Sequence, residues 1–568
     1  MKRKLLLLCI LAQTVVHAQN FEEINTKIKN YYYASSDIAD YDNDGDLDIL
    51  LSGALDMDGN ELPETTDCTL YQNTNNTYTP LQNFPVYARQ LGDVKFIDID
   101  NDGDKDILIG GNNYETATKP KIDIYKNNNG KFELSQSFDS ETYAQIDVTD
   151  ENHDGNLDFI NFAINKNTQI YLSKKQQFQP LKIDNDFTQN GNVRFRDVDN
   201  DGIVEIILSG KTKGDKPVLQ VLKKLKNKYF VVQELSGISD GTIELADFNA
   251  DGLLDIVASG LDKDLIAKIK VYFNTGNTVF KEILNQDGVE LASGGKNIAV
   301  GDINNDGYYD FVVAGDIDYE PVLKTFLYNP KSTNFDLTSL NGITPLGGNS
   351  NIQLFDYNNN NTLDILLSGF ATVNKKYISV TKLFENKIIE NNKKPLPPTE
   401  LKETKTGNKI TFSWNGASDD KTPEKALRYQ LRVGSQPGAK DIAQYEVTSK
   451  NWTLDIPLIP TNVYWSVQSI DASNAKSIEA TEKQLGTLAI AQPKFLINVE
   501  LYPNPTTDLV NIHTALEIKS IMIYNQIGQL ISTQRTTPIQ LSDATAGIYY
   551  AHIEFENGQT SIQKIIKK

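Results

Sequence analysis

Short apolar runs, punctuated by clusters of Asn, Asp and Gly, follow a repeating order over the first two thirds of the chain. An alternating segment such as VKFIDID or NIAVGDI comes first, then an uninterrupted run closing on a small residue, as in ILLSG, ILIGG, IILSG, IVASG and FVVAG. An aromatic or aliphatic segment follows (TLYQN, IDIYKN, KVYFN, TFLYN), and after it one opened by an aromatic residue (KFELSQS, VFKEIL, NFDLTSL). Period-two alternation predicts strands with one solvated face, and short continuous runs bounded by turn residues predict strands buried on both.

Between the first and second segments one nine-residue phrase recurs seven times, with starts 47 to 58 residues apart: DYDNDGDLD, DIDNDGDKD, DENHDGNLD, DVDNDGIVE, DFNADGLLD, DINNDGYYD and DYNNNNTLD. Four short strands per period of about 50 residues describe a β-propeller, in which four-stranded sheets repeat radially. The seventh repeat stops after its third strand, KLFENK, and FEEINTKI at Phe21 is a segment of the missing kind. The first segment is therefore expected to complete the last blade and close a seven-bladed ring.

Positions 1, 3, 5 and 9 of the phrase are almost all Asp or Asn, and position 6 is usually Gly, which accepts the positive φ of a tight loop. Oxygen ligands without His or Cys select a hard cation, and a flexible site of about six to eight oxygens suits calcium better than magnesium. An EF-hand is excluded, because its bidentate Glu at position 12 is replaced by Leu51, Ile109 or Leu208 inside a strand. Without a cation, such clustered carboxylates would oppose folding.

These residues resemble the calcium loops of FG-GAP, or VCBS-type, repeats over roughly residues 21–387. The resemblance implies a cation held by side chains at positions 1, 3, 5 and 9 and by the carbonyl at position 7. Carried onto this chain, the first two sites are Asp40, Asp42, Asp44 and Asp48 with the carbonyl of Asp46, and Asp98, Asp100, Asp102 and Asp106 with that of Asp104. The next two are Asp150, Asn152, Asp154 and Asp158 with Asn156, and Asp197, Asp199, Asp201 and Glu205 with Ile203. Asp247, Asn249, Asp251 and Asp255 with Leu253, and Asp302, Asn304, Asp306 and Asp310 with Tyr308, form the fifth and sixth. The seventh, Asp356, Asn358, Asn360 and Asp364 with Thr362, departs most and is expected to bind weakest. Up to seven structural calcium ions are thus expected.

Lys2, Arg3 and Lys4 precede the apolar run Leu5 to Ala12 and the pattern Val16-His17-Ala18, which predicts a secretory signal peptide over residues 1–18. No stretch reaches the roughly 20 apolar residues that a transmembrane helix needs. With Cys9 removed, Cys68 is the remaining thiol, read as a half-buried small hydrophobe, and no intrachain disulfide can form. The net charge of -20 argues against nucleic acid or an anionic membrane as partner.

The propeller is expected over residues 19–392. Pro395, Pro397 and Pro398 open a stiff linker, and residues 395–490 then alternate as an all-β module whose ITFSW, LRYQLRVG and VYWSVQSID resemble a fibronectin type III domain. That likeness implies Trp414 in the core, Tyr464 at the tyrosine corner and a spacer role. Residues 495–568, with YPNP at Tyr502 to Pro505, a strand ending in Gly528, GIYY at Gly547 to Tyr550 and a basic tail, resemble the type A C-terminal sorting domain of type IX secretion. This implies export across the outer membrane, contact with the type IX machinery, and release or surface attachment. The expected fold class is all-β: a seven-bladed β-propeller followed by two small β-sandwich domains.

The expected function is adhesion or recognition of an extracellular protein or glycan. The calcium loops lie on one face of such a ring; the longest insertions, Ala54 to Asp67, Asn112 to Lys121 and Asn285 to Lys296, lie on the other with Tyr114 and Tyr319 and are the favoured ligand face. A polysaccharide-active enzyme, or its accessory binding subunit, is the alternative. His153, His513 and His552 are not placed for a His-based dyad, and no GxSxG, HExxH or phosphate-binding glycine loop occurs.

Overall fold

The computed structural model describes residues 20–55, 65–113, 118–163, 166–174, 177–183, 187–289, 296–373, 376–389, 392–456, 459–460, 462–485, 499–556 and 560–568. The expected signal peptide, Tyr114 and the central parts of the three long insertions lie outside these residues. Among the described residues the chain is all-β apart from one 3-10 turn, and no helix is long and apolar enough to cross a membrane.

Seven four-stranded antiparallel sheets follow one another as propeller blades. The second strand of each is buried almost throughout, as in Asp106–Asn113 and Asp158–Ala163, because both its faces pack on neighbouring blades. The fourth strand, such as Lys131–Asp139, is mostly exposed. This gradient from centre to rim explains why second strands read as continuous apolar runs.

Closure of the ring is visible in both pairing and packing. Phe21–Ile24 pairs antiparallel with Lys376–Asn386, Phe21 opposite Asn386 and Ile24 opposite Leu383, so the start of the chain supplies the outer strand of the seventh blade. Each pair of adjacent blades shares an apolar core, including the last and first, where Leu366 and Leu383 pack with Ile49, Leu51 and Tyr71. Near the axis, Lys296 Nζ lies 2.6 Å from Asp93 Oδ1, both side chains nearly solvent-free, and donates to the Ser36 carbonyl at 3.2 Å.

Two sandwiches follow. In the first, a sheet of Thr399–Thr406, Lys409–Asn415 and Asn451–Asp455 faces one of Ala443–Val447, Arg428–Gly434, Tyr464–Ile470 and Lys483–Gln484. Phe412, Trp414, Tyr429, Trp452 and Trp465 fill the space between them. Trp414 is in this core as expected, but the buried tyrosine whose hydroxyl accepts a backbone N–H is Tyr429, from Ala417 at 3.3 Å, and Tyr464 is half-buried at a strand start. In the last domain Val510, Ile523, Tyr549, Ile553 and Phe555 form the core of a three-stranded and a four-stranded sheet.

Candidate functional site

Every copy of the repeated phrase forms the turn from first to second strand of its blade, and the turn is held by its own carboxylates. In five loops the position-1 Asp accepts the backbone N–H groups of positions 5 and 6, as Asp44 and Gly45 to Asp40, both 3.0 Å, and Asp306 and Gly307 to Asp302 at 3.0 and 2.7 Å; in the second and fourth loops Asp98 and Asp197 accept from the position-6 Gly at 3.1 and 2.9 Å. The position-5 oxygen accepts from position 7, as Asp46 to Asp44 and Leu253 to Asp251, both 2.9 Å. The position-9 carboxylate clamps the turn to the sheet. Asp106 accepts from Ile99 at 2.8 Å and, in the third strand, from Asn127 at 2.7 Å; Asp364 accepts from Tyr357 and Asn386 at 3.1 and 2.8 Å. Position 4 is left-handed in every loop, including His153 (φ 61) and Ala250 (φ 56), and Asn361 adopts the glycine-like φ of 61 where the seventh loop lacks Gly.

This wiring points the remaining carboxylate oxygens at one another. Single oxygens of Asp40, Asp42 and Asp48 lie within 4.8 Å of one another, as do those of Asp98, Asp100 and Asp106, and of Asp197, Asp199 and Glu205. Burial pushes Asp48, Asp106, Asp247 and Asp302 up to about 7, Asp158 and Asp364 to about 8, Asp255 to about 9, and Asp150 and Asp310 well above the carboxylate range. In the second loop Asp98 is 5% exposed, and its Oδ1 and that of Asp100 are buried without a hydrogen-bond partner. Buried anionic oxygens left unpaired carry a large desolvation cost, which a cation at this point would offset. Hard oxygen donors with a free lone pair fit calcium, and Asp98, Asp100, Asp102 and Asp106 with the Asp104 carbonyl would hold it.

The strand after each loop contributes residues that the repeated phrase does not contain. Register places Gln72, Lys126, Leu172, Lys223, Phe273, Leu327 and Glu385 at one equivalent position, next to the third-strand residue paired with the residue after position 9. Lys126 Nζ lies 2.9 Å from Asp100, Glu385 accepts from Asn358 at 3.3 Å, and Lys223 reaches three acids of the fourth loop.

The first sandwich is not an extended spacer. It docks on the face formed by the loops between first and second strands. The His153 carbonyl accepts from Asp455 N at 2.7 Å, its Nδ1 lies 2.9 Å from the Thr453 carbonyl, and its ring stacks on Trp452. Thr448 Oγ1 donates to Asn200 at 2.7 Å, Lys421 Nζ to the Asn305 carbonyl at 2.6 Å, and Arg428 Nε to Tyr309 at 2.8 Å. A Cβ at Gly155 would lie 2.4 Å from the Ile442 carbonyl and one at Gly307 2.1 Å from that of Lys421, so these glycines permit the close approach. A cleft of about 1040 Å³ remains between blades three and four and the sandwich. Of the acids lining it, Glu151 pairs with Lys224 and Tyr229, Glu446 with Arg428, and Asp455 with Lys409, while Asp197 and Asp201 belong to the fourth loop, Asp201 paired with Lys223 and Asp197 Oδ1 buried without a hydrogen-bond partner. Cys68 packs half-buried beside Leu70 and Val94, its thiol pushed up to about 12 by burial.

Residues 247–313, spanning the fifth loop and most of the sixth blade's first two strands, match the family model of the FG-GAP-like repeat. Residues 500–568 match that of the secretion system C-terminal sorting domain. No curated protein matches the chain. The chain is therefore an all-β protein with FG-GAP-like repeats and the sorting domain of the type IX secretion system, which directs it out of the cell to the outer surface.

Proposed function

We propose that this is a calcium-structured recognition protein that works by binding an extracellular protein or glycan. The ions would sit in the blade loops, and the unpaired buried oxygens of Asp98 and Asp100 are the observation that carries the calcium reading. The docked sandwich, read as a fibronectin type III-like domain over residues 395–490, covers the loop face. The opposite face, where Tyr319 stands 75% exposed, is left as the ligand face of the propeller at 19–392. Export would begin at the signal peptide and end with the sorting domain at 495–568. The enzymatic alternative draws less support, since Glu151, Glu446 and Asp455 in the cleft are each held in a pair and its other acids, Asp197 and Asp201, belong to a blade loop.

The test is calorimetric unfolding of the mature chain in EDTA and with calcium titrated back. A fall in melting temperature restored by several ions per chain supports the reading, and glycan and protein arrays probed in calcium then identify the ligand class. A melting temperature indifferent to chelation refutes it.

A further inference from the structure

The fourth loop differs from its neighbours in what occupies its centre. Lys223 lies in the third strand of its blade, Pro217–Leu225, and its Nζ is 3.0 Å from Asp199, 2.7 Å from Asp201 and 2.8 Å from Glu205. These are positions 3, 5 and 9 of the phrase, and an ammonium has three hydrogens to direct at them. The Lys223 side chain is 13% exposed and that of Glu205 fully buried. The fourth loop also has Glu at position 9, whose extra methylene carries one oxygen to Lys223 while the other still accepts from Val198 N at 3.0 Å.

The second loop supplies the contrast. It too has four ligand acids and a lysine at the equivalent place, and there Lys126 Nζ lies 2.9 Å from Asp100 Oδ2 while Asp98 Oδ1 and Asp100 Oδ1 are buried without a hydrogen-bond partner; in the fourth loop Asp197 Oδ1 is likewise unpartnered, whereas Glu205 Oε1, which accepts no hydrogen bond, lies 2.8 Å from the Lys223 ammonium. Charge at the equivalent strand position follows the loop's own acids. The loops with three carboxylates at the ligand positions face Leu172, Phe273 and Leu327, two of the loops with four face lysine, and the seventh, with two, faces Glu385. In six of the seven loops the sum is three negative charges, so this position belongs to the ion site electrostatically.

We propose that the fourth loop is not a calcium site and that the Lys223 ammonium is its resident cation. The inference rests on the calcium reading of the other loops and limits the chain to six ions. A calcium ion entering this loop would have to displace Lys223 from three carboxylates or sit against its charge. Blade four is thereby fixed without metal, beside the cleft and the sandwich contact at Asn200.

Two measurements on the mature full chain decide it. Bound calcium is counted by atomic emission after dialysis, for the natural protein and for Lys223→Met; hydrogen exchange over residues 196–206 and 246–256 is followed with and without EDTA. The expected result is one ion more in Lys223→Met than in the natural chain, with exchange at 196–206 indifferent to EDTA while 246–256 accelerates. Equal counts, or a fourth loop that loosens with the fifth, overturn the proposal and leave the calcium reading standing. No bound calcium and no response in either segment overturn both. If Lys223→Met does not fold, exchange in the natural protein decides alone.

Discussion

Asp106→Asn isolates what one ion would contribute. Asp106 is fully buried and accepts two backbone N–H groups, from Ile99 and Asn127, while facing Asp98 and Asp100. Asparagine keeps one acceptor oxygen and turns an amide donor toward the other N–H, and a buried donor left unsatisfied costs about 1–3 kcal/mol. The substitution also removes a buried charge from beside two others, and such repulsion is about 4 kcal/mol for a pair 4 Å apart at an effective dielectric constant of about 20. The two effects oppose each other, so in EDTA at about pH 8 the net change is expected to be small, within about 2 kcal/mol of zero. In about 10 mM calcium, a site with a dissociation constant of about 0.1 mM stabilises the fold by about 2.7 kcal/mol through linkage, and Asp106→Asn forfeits that. The variant should therefore lose about 2–3 kcal/mol more in calcium than in EDTA. The assay is urea unfolding followed by far-ultraviolet circular dichroism, since all three tryptophans, Trp414, Trp452 and Trp465, belong to the sandwich and report poorly on the blades. An equal cost in both conditions would refute the claim that Asp106 ligates a cation.

The raised native pKa values of Asp48, Asp158, Asp255 and Asp364, about 7, 8, 9 and 8, fix the sign of a pH effect. Stability from these groups is complete below the unfolded value near about 4 and is lost as pH rises through about 7–9, so the calcium-free protein should melt progressively lower from about pH 6 to 9. The increment that calcium adds should grow over the same interval, as calorimetry would record. Phe21→Ala, at the closing seam beside Leu346 and Phe384, should cost about 3–5 kcal/mol in urea unfolding, whereas Leu134, 56% exposed on an outer strand, should tolerate Ala. Lys296→Met strands the buried Asp93 carboxylate and should cost about 3–5 kcal/mol, with Asp93→Asn added in the same chain recovering much of the loss.

How much of this the sequence carries depends on whether an element needs particular residue types. The blade turns are legible because each position has its own physical demand: an acceptor for backbone N–H groups at position 1, a positive φ at position 6, a double clamp at position 9. The closing strand is legible as well, since the missing fourth segment of the last repeat and the surplus one at Phe21 are of a single kind. Docking of the sandwich is not. Its contacts use the carbonyls of Ile442, Thr453 and Lys421 and single side chains such as Thr448, which any sequence can present. The third-strand partners are hidden for a different reason: Lys223 and Glu385 meet their loops only once strand register is fixed. His153 occupies a position where the loop needs a left-handed backbone, and nothing in its spacing reveals that its ring stacks on Trp452.

The same hydrogen bonds bear on what calcium would do to the shape of the protein. In every loop the turn is already closed by N–H groups donating to the side-chain oxygens at positions 1, 5 and 9, and in every blade but the fourth the position-9 acid also accepts a backbone N–H of the third strand. A cation would add no backbone contact that these bonds do not already make; it would neutralise oxygens that burial leaves exposed to one another's charge. Its effect should therefore appear in the free energy of unfolding and in local opening rates rather than in strand content. The sandwich extends that effect beyond the loops, because it rests on His153 and Asn305, each at the left-handed fourth position of its loop. Loosening those turns would loosen the contact, so calcium should stiffen the junction between propeller and sandwich without reshaping either.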